Sequence, residues 1–199
     1  PRILHASHFT PMPDGIVTTH AGAIEANLKT FPLFTDKIVV HIRDPRQAVV
    51  SKVQYSEYLR YTGNLSALLS YQYPDGFFQW PMNKKLDWQI DNYYLPADLE
   101  WIKGWLKADA DPDFPCKIHF SLHEVLANNQ KRCFQDILSF YDLPEDKFIH
   151  PNKPKFENYT HMRKGSTNEW RELLSEEQIQ KINDTIPTEW FERFNWPKV

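Results

Sequence analysis

Arg43 stands at the end of an apolar run and beside a helix-start signal, a pattern typical of anion-binding sites. Residues 37–43 read KIVVHIR, and their β-branched residues predict a buried parallel strand. Asp44 and Pro45 then provide a helix cap and a first helical residue. Free N–H groups and the helix dipole attract anions to such a helix start, and Ser51 adds a hydroxyl in its second turn. A phosphate site and a plain strand–helix junction with a surface arginine both fit this pattern.

A second group of cations occurs more than a hundred residues later in the chain. Arg163 and Lys164 are adjacent, and Gly165 follows them. Because glycine lets the backbone approach a ligand closely, these three residues could form a compact clamp for an anion. A solvated basic turn would have the same sequence, and on this segment alone it is the simpler interpretation.

Two histidines near the start of the chain are candidate proton acceptors. His5 lies in a short strand that we predict from Arg2 to Ala6, and His8 lies just beyond its end. An imidazole with an unperturbed pKa of ~6.5 can accept a proton near neutral pH. A polar histidine at a strand end without a catalytic role is the alternative.

Strands that alternate with helices must position these residues, which predicts an α/β fold with a mostly parallel sheet flanked by helices. We predict a second strand from Lys117 to Leu122. Residues 61–96 predict irregular structure with short helices. The predicted longer helices run from Thr19 to Phe31, from Pro45 to about Arg60, from Asp98 to Ala108, from Gln130 to Tyr141 and from Ser175 to Asp184. The fourth of these helices should have Phe134, Ile137, Leu138 and Tyr141 on its inner face. The fifth should begin with a capping box.

Composition limits the classes of function that need to be considered. The 199 residues, 41% of them hydrophobic and 25% charged, predict a single globular domain over residues 1–199. The formal net charge of -3 argues against a broadly basic nucleic-acid binder. No apolar run approaches the ~20 residues that cross a membrane, and no cluster has metal-ligand spacing. Cys116 and Cys133 do not make a disulfide framework, which favours a reduced, cytoplasmic setting.

Four segments, taken in order, resemble those of the sulfotransferases that use 3'-phosphoadenosine-5'-phosphosulfate (PAPS). Arg43, with Ser51 eight positions later, resembles the strand and helix that bind the 3'-phosphate in that family. The residues Arg163–Gly165, with Trp170 after them, resemble its late Arg-Lys-Gly loop. Between them, WIKGW at 101–105 and LHEVL at 122–126 resemble its Lys-Gly-Trp helix and its Tyr-Glu-Asp segment. The resemblance covers essentially the whole chain and implies a P-loop-kinase-like sulfotransferase fold.

The resemblance implies an enzyme that moves a sulfuryl group from PAPS to a hydroxyl or amine acceptor, a small molecule or glycan, by in-line displacement without a metal. The opening PRI, followed by Ser7 and His8, resembles the family segment whose histidine is the general base. His5 is the alternative base, because this segment is one residue longer than the common pattern; Ala6 replaces a family lysine. Residues implied to hold the product, adenosine 3',5'-bisphosphate, are Arg43, Ser51, Arg163, Lys164 and Gly165, with His123 where the family often has a tyrosine beside adenine.

One family element is missing from the sequence, and it keeps other functions open. The lysine-rich phosphosulfate loop should lie some tens of residues before Pro1, so we expect the chain to be a fragment rather than an enzyme that has lost catalysis. A sulfotransferase-like domain that binds a nucleotide or glycan without turnover is the main alternative, and a nucleotide kinase of the same core fold is the second. The aromatic stretch from Tyr71 to Tyr94 could line an acceptor pocket or pack against the domain.

Overall fold

The computed structural model describes residues 20–151 and 165–199, which form a mixed α/β fold. The strand predicted at the start of the chain lies outside this part. Short 3-10 helices occur at Phe31–Leu33, Phe77–Gln79 and Glu145–Lys147. The strands are β1 (Lys37–Ile42) and β2 (Lys117–Leu122), and the α-helices are α1 (Glu25–Thr30), α2 (Pro45–Tyr61), α3 (Leu65–Leu69), α4 (Met82–Asp91), α5 (Tyr94–Ala110), α6 (His123–Asn128), α7 (Gln130–Phe140), α8 (Trp170–Leu173), α9 (Glu176–Thr185) and α10 (Thr188–Arg193).

The two strands of the described part pair in parallel, as their β-branched and aromatic residues predict. The register aligns Lys37 with Lys117 and Ile42 with Leu122, so the strands begin and end together. Each strand is followed at once by a helix, α2 after β1 and α6 after β2. The carboxyl ends of the strands, where ligands bind in α/β sheets, therefore meet at one edge.

Helix α2 lies at the centre of the core and begins as the sequence predicts. Asp44 caps the helix by accepting a hydrogen bond from the Arg46 N–H at 3.0 Å, and Pro45 occupies the first helical position. Three valines of the helix, Val49, Val50 and Val53, are fully buried against the surrounding elements, which include α4, α5, α8 and α9.

Arg46 is a fully buried cation that joins α2 to the end of the chain. Its guanidinium forms a two-point ion pair with the Asp44 carboxylate, with Nε–Oδ1 at 2.9 Å and Nη2–Oδ2 at 2.6 Å. Nη1 donates to the Pro197 carbonyl at 2.8 Å and to Asn183 Oδ1 at 3.2 Å. The guanidinium also stacks on the Trp170 ring at 4.2 Å. Every face of this cation is thus satisfied by the protein itself.

Several predicted boundaries are wrong, and tertiary contacts explain why. The helix predicted from Thr19 begins only at Glu25, because Ile24 is extended and the Ala21 carbonyl accepts hydrogen bonds from two indoles of α5. Helix α4, by contrast, lies in the segment 61–96, where we predict short helices within irregular structure. Tyr141, which we predict on the inner face of a helix, lies just beyond α7 and is exposed.

The other elements that we predict agree with the structure to within a few residues, whereas α6, α8 and α10 have no counterpart in the prediction. Helix α5 extends the predicted helix by four residues at its start and by two at its end. The capping box of α9 is present, since Ser175 Oγ accepts from the Gln178 N–H and the Gln178 side chain accepts from the Ser175 N–H. Cys116 and Cys133 are both buried free thiols.

Candidate functional site

The register of the sheet brings Arg43 and His123 together, because each is the first residue after its strand. Glu124 follows His123 in the first turn of α6. A cation, an imidazole and a carboxylate therefore share the edge of the sheet where a ligand is expected.

Arg43 connects this edge to the late glycine loop. Its Nη2 donates to the Ser166 carbonyl at 3.1 Å across 123 residues of sequence. Gly165, the residue before Ser166, has a φ of +62°, a conformation that favours glycine. Within the described residues the buried Nε of Arg43 has no hydrogen-bond partner. The late segment thus reaches the carboxyl end of β1 and leaves part of the guanidinium available.

The charge of Arg43 lies among several acidic groups. Burial lowers the pKa of the Arg43 guanidinium, and the nearby carboxylates of Glu124, Glu169 and Asp44 oppose that effect. An arginine stays charged in proteins whatever the shift. The site therefore holds a desolvated cation whose charge is partly balanced by the protein.

His123 is neutral at physiological pH. Burial lowers the pKa of its imidazole to about 4, and the charges of Arg43 and His41 act in the same direction. The His123 ring lies 6.0 Å from the His41 ring, edge to face. Its Nε2 is buried and lacks a hydrogen-bond partner in the part of the chain that the structure describes. A neutral imidazole with one open nitrogen can donate or accept one hydrogen bond to a ligand.

Only one of the two Glu124 carboxylate oxygens has a hydrogen-bond partner among the described residues. Oε1 accepts a hydrogen bond from the Asp44 N–H at 2.9 Å, whereas the buried Oε2 finds no partner in residues 20–151 or 165–199. Burial raises the pKa of the Glu124 carboxyl. Buried polar atoms are nearly always paired in folded proteins. Of the seven unpaired buried side-chain atoms in the described residues, three belong to Arg43, His123 and Glu124, which makes this edge the candidate ligand site.

The start of α2 contributes less to an anion site than the sequence predicts. Pro45 has no N–H, the Arg46 N–H donates to Asp44 Oδ1, and the Ala48 N–H donates to the Asp44 carbonyl. The Asp44 carboxylate already occupies the positive end of the helix. Anion binding here would therefore depend on side chains rather than on the helix end.

The other predicted site residues are only partly placed. Ser51 lies in the second turn of α2 and is half-buried, and no side-chain hydrogen bond to Ser51 occurs among the described residues. Its sharing of an anion with Arg43 stays a prediction. Arg163, Lys164, His5 and His8 lie outside the described residues, so their predicted roles also stay predictions.

Sequence patterns connected neither His41 nor Tyr94 with Arg43, although Tyr94 belongs to the aromatic stretch that begins at Tyr71. His41 lies two residues before Arg43 on β1, and its Nδ1 is 3.1 Å from Ser121 Oγ of β2. The alternation of side chains along a strand could have identified His41, because residues two apart share a face. Tyr94, which begins α5, interacts electrostatically with Arg43. No local pattern connects Tyr94 to β1, so only the tertiary structure reveals it.

Asp98, one turn after Tyr94 on α5, gives a prediction about pH. Burial raises the pKa of its carboxyl to about 7, compared with ~3.9 for an unperturbed aspartate. The folded protein therefore holds this proton more tightly than the unfolded chain does. The stability linked to Asp98 is present at pH 4 and is lost as the pH rises through 7.

An Asp98→Asn variant should match the unsubstituted protein in stability near pH 4 and exceed it by about 1–3 kcal/mol at pH 8. Urea unfolding at the two pH values measures the difference. Asp113→Asn changes an exposed carboxylate before β2 and should show no such gain. An equal effect of Asp98→Asn at both pH values would contradict the assignment.

Two further properties of the described residues bear on function. They contain no helix long and apolar enough to cross a membrane. They also contain no group of three or more histidine, cysteine, aspartate or glutamate side chains that could hold a metal ion.

Comparison with known proteins identifies the family. The sulfotransferase domain family matches residues 15–195, which include both strands, Arg43, His123 and the late glycine loop. A search of curated proteins and a search of solved structures gave no match. The matched residues make up most of the chain and contain the whole edge described above, and the chain belongs to the sulfotransferase domain family.

Proposed function

We propose that the protein is an enzyme that transfers a sulfuryl group from PAPS to a hydroxyl or amine acceptor. The observation that carries the proposal is the contact between Arg43 and the Ser166 carbonyl, with Arg43 Nε buried and unpaired among the described residues, in a chain of the sulfotransferase domain family. An arginine with an open donor at the carboxyl end of a parallel strand suits a phosphate group.

The residues at this edge would hold the nucleotide part of PAPS. Arg43 and Ser51 would hold the 3'-phosphate, together with Arg163, Lys164 and Gly165. Glu124 Oε2 can only accept hydrogen bonds while its carboxyl is ionised, which suits the adenine amino group and not a phosphate. The neutral His123 ring can stack on the base or bond to it through Nε2.

His8 would accept the acceptor's proton as the acceptor oxygen or nitrogen bonds to sulfur. PAPS supplies the sulfuryl group, and its bond to adenosine 3',5'-bisphosphate breaks in the same displacement. The protein would contribute by positioning the two reactants and balancing charge, as in phosphoryl transfer. Arg43 would contribute to positioning, because its guanidinium, which remains charged in a desolvated environment, would hold the 3'-phosphate.

Binding of adenosine 3',5'-bisphosphate tests the late loop. Arg163→Ala should weaken the affinity by about 1.5–3 kcal/mol, the range for a hydrogen bond to a charged group, or roughly 10- to 150-fold. Isothermal titration calorimetry on the native protein, with any residues that precede Pro1, measures this change. Arg132→Ala removes an exposed arginine of α7 that pairs with Asp136, and should leave the affinity unchanged. Unchanged affinity in the Arg163→Ala protein would refute the predicted role.

Turnover separates the enzyme from its alternative. Radiolabelled PAPS offered with a mixed panel of hydroxyl and amine acceptors should give labelled product. Nucleotide binding without any product would support the alternative of a sulfotransferase-like binding domain, for which Ala6 in place of the family lysine is the relevant observation.

A further inference from the structure

Lys52 is a partly buried cation that is surrounded by tyrosine rings. Its Nζ lies 3.3 Å from the centre of the Tyr71 ring. The rings of Tyr55, Tyr93 and Tyr94 lie 5.6 to 6.0 Å from the same atom. We call the side chains of Tyr55, Tyr71, Tyr93 and Tyr94 the tyrosine cluster. Lys52 follows Ser51 on α2, so it is next in sequence to a residue that we predict to bind the nucleotide.

No carboxylate of the described residues forms an ion pair with Lys52. Burial lowers the pKa of the Lys52 amine to about 8, and no charged neighbour contributes to the shift. The amine is still mostly protonated at neutral pH. Lys85 shows how the same protein satisfies a buried lysine, because its Nζ pairs with the Glu57 carboxylate at 2.6 Å and with the Phe78 carbonyl at 3.1 Å. Lys52 has aromatic rings in place of such oxygens.

The hydroxyls of the tyrosines around Lys52 influence one another through Tyr71. Burial raises the pKa of the hydroxyls of Tyr55 and Tyr93, and the neighbouring Tyr71 hydroxyl adds to both shifts. The Tyr73 hydroxyl, which Tyr71 also influences, is already bonded to Ser56 Oγ at 2.6 Å. A protonated amine among aromatic rings, with no carboxylate partner in the described residues, can bind carboxylate or sulfate oxygens.

Tyr94 connects the tyrosine cluster to the candidate nucleotide site. Its ring lies 5.9 Å from Lys52 Nζ, and its hydroxyl lies in the electrostatic field of Arg43. The cluster is therefore a neighbour of the edge formed by Arg43, His123 and Glu124, but it shares none of those residues. A ligand group held by Lys52 would lie beside the nucleotide rather than in its place.

We propose that Lys52 and the tyrosine cluster bind a carboxylate or sulfate group of the acceptor, which makes the acceptor an acidic molecule. The assignment of this anion to an acceptor rests on the proposed function. Lys52 would bind the charge of the acceptor, and the tyrosine rings around Lys52 would border the site. A neutral acceptor would bind less tightly, because it would leave the partly buried ammonium of Lys52 without an anion.

Two matched pairs of probes test the proposal by NMR of protein labelled with carbon-13 at the lysine ε position. One pair is methyl β-glucuronide and methyl β-glucoside, and the other is 4-hydroxybenzoate and 4-hydroxybenzyl alcohol. Glucose 6-sulfate distinguishes a sulfate from a carboxylate. At least one anionic probe should shift the Lys52 signal, with an affinity at least tenfold higher than that of its neutral counterpart. The Lys52→Arg protein lacks this signal, and its spectrum therefore assigns the signal to Lys52. The titration itself then uses the unsubstituted protein.

In calorimetric titrations, Lys52→Met should reduce the affinity for the anionic probe at least tenfold, and Lys52→Arg should restore part of it. Lys103→Met, which changes an exposed lysine of α5, is the matched control. If no anionic probe shifts Lys52 more than its neutral counterpart does, the proposal is overturned. Titration with adenosine 3',5'-bisphosphate separates the two claims, because failure of that titration alone would overturn the proposed function and leave the anion site standing.

Discussion

Arg46→Ala should lower the free energy of unfolding by about 3–5 kcal/mol, the cost of removing one partner of a buried ion pair. Asp44 would be left as a buried carboxylate with its partner missing, at the junction between β1 and α2. The Pro197 carbonyl and Asn183 would also lose a donor, and Trp170 would lose the cation stacked on its ring. Urea unfolding followed by tryptophan fluorescence measures the change.

The same experiment includes two controls. Arg132→Ala breaks an exposed pair with Asp136 and should cost less than about 1 kcal/mol. A double variant, Asp44→Asn with Arg46→Met, removes both charges and should recover a substantial part of the loss, because no uncompensated charge remains. A loss below about 1 kcal/mol for Arg46→Ala would show that the buried pair does not hold the junction.

His8→Ala should lower turnover by roughly 10²-fold or more while leaving the affinity for adenosine 3',5'-bisphosphate nearly unchanged. The role of His8 rests on the resemblance of residues 1–8 to the family segment that carries the general base. A neutral imidazole can accept the acceptor's proton, and no carboxylate lies close to His8 in sequence to replace it. Since His8 would contact the acceptor rather than the phosphates, its removal should spare nucleotide binding.

His5→Ala is the matched control for this prediction. His5 lies three residues earlier, and its replacement should leave turnover largely intact. If His5→Ala abolishes turnover and His8→Ala does not, His5 is the base and the alignment of this segment is wrong. If neither replacement matters, the proton acceptor lies elsewhere or the domain is the binding module.

Local sequence patterns predicted the strands and the helix starts that depend on residues close together in the sequence. The predicted strands β1 and β2, the Asp-Pro start of α2 and the capping box of α9 are confirmed nearly residue for residue. The start of α1 could not be predicted, because the backbone before it bonds to indoles of α5. Tyr141 follows the helical period of α7, yet it lies beyond the last helical turn and remains exposed.

The candidate site could be predicted only in part, since its geometry depends on contacts between distant segments. Arg43 and Ser166 are 123 residues apart, and only the family resemblance indicated that they meet. The proximity of Arg43 to His123 follows from the register of the two strands, which the sequence does not specify. No sequence pattern identified Lys52 as a candidate site residue. Its tyrosine neighbours come from three separate parts of the chain, which are α2, the segment before α4 and the start of α5.

A calorimetric comparison of two nucleotides tests the central claim most directly. Adenosine 3',5'-bisphosphate and adenosine 5'-monophosphate differ only in the 3'-phosphate that Arg43 would bind. The native protein should bind the bisphosphate at least tenfold more tightly, and Arg43→Ala should remove most of that preference, a loss of about 1.5–3 kcal/mol. Equal affinities for the two nucleotides, or a preference that survives Arg43→Ala, would contradict a nucleotide site at the carboxyl ends of β1 and β2.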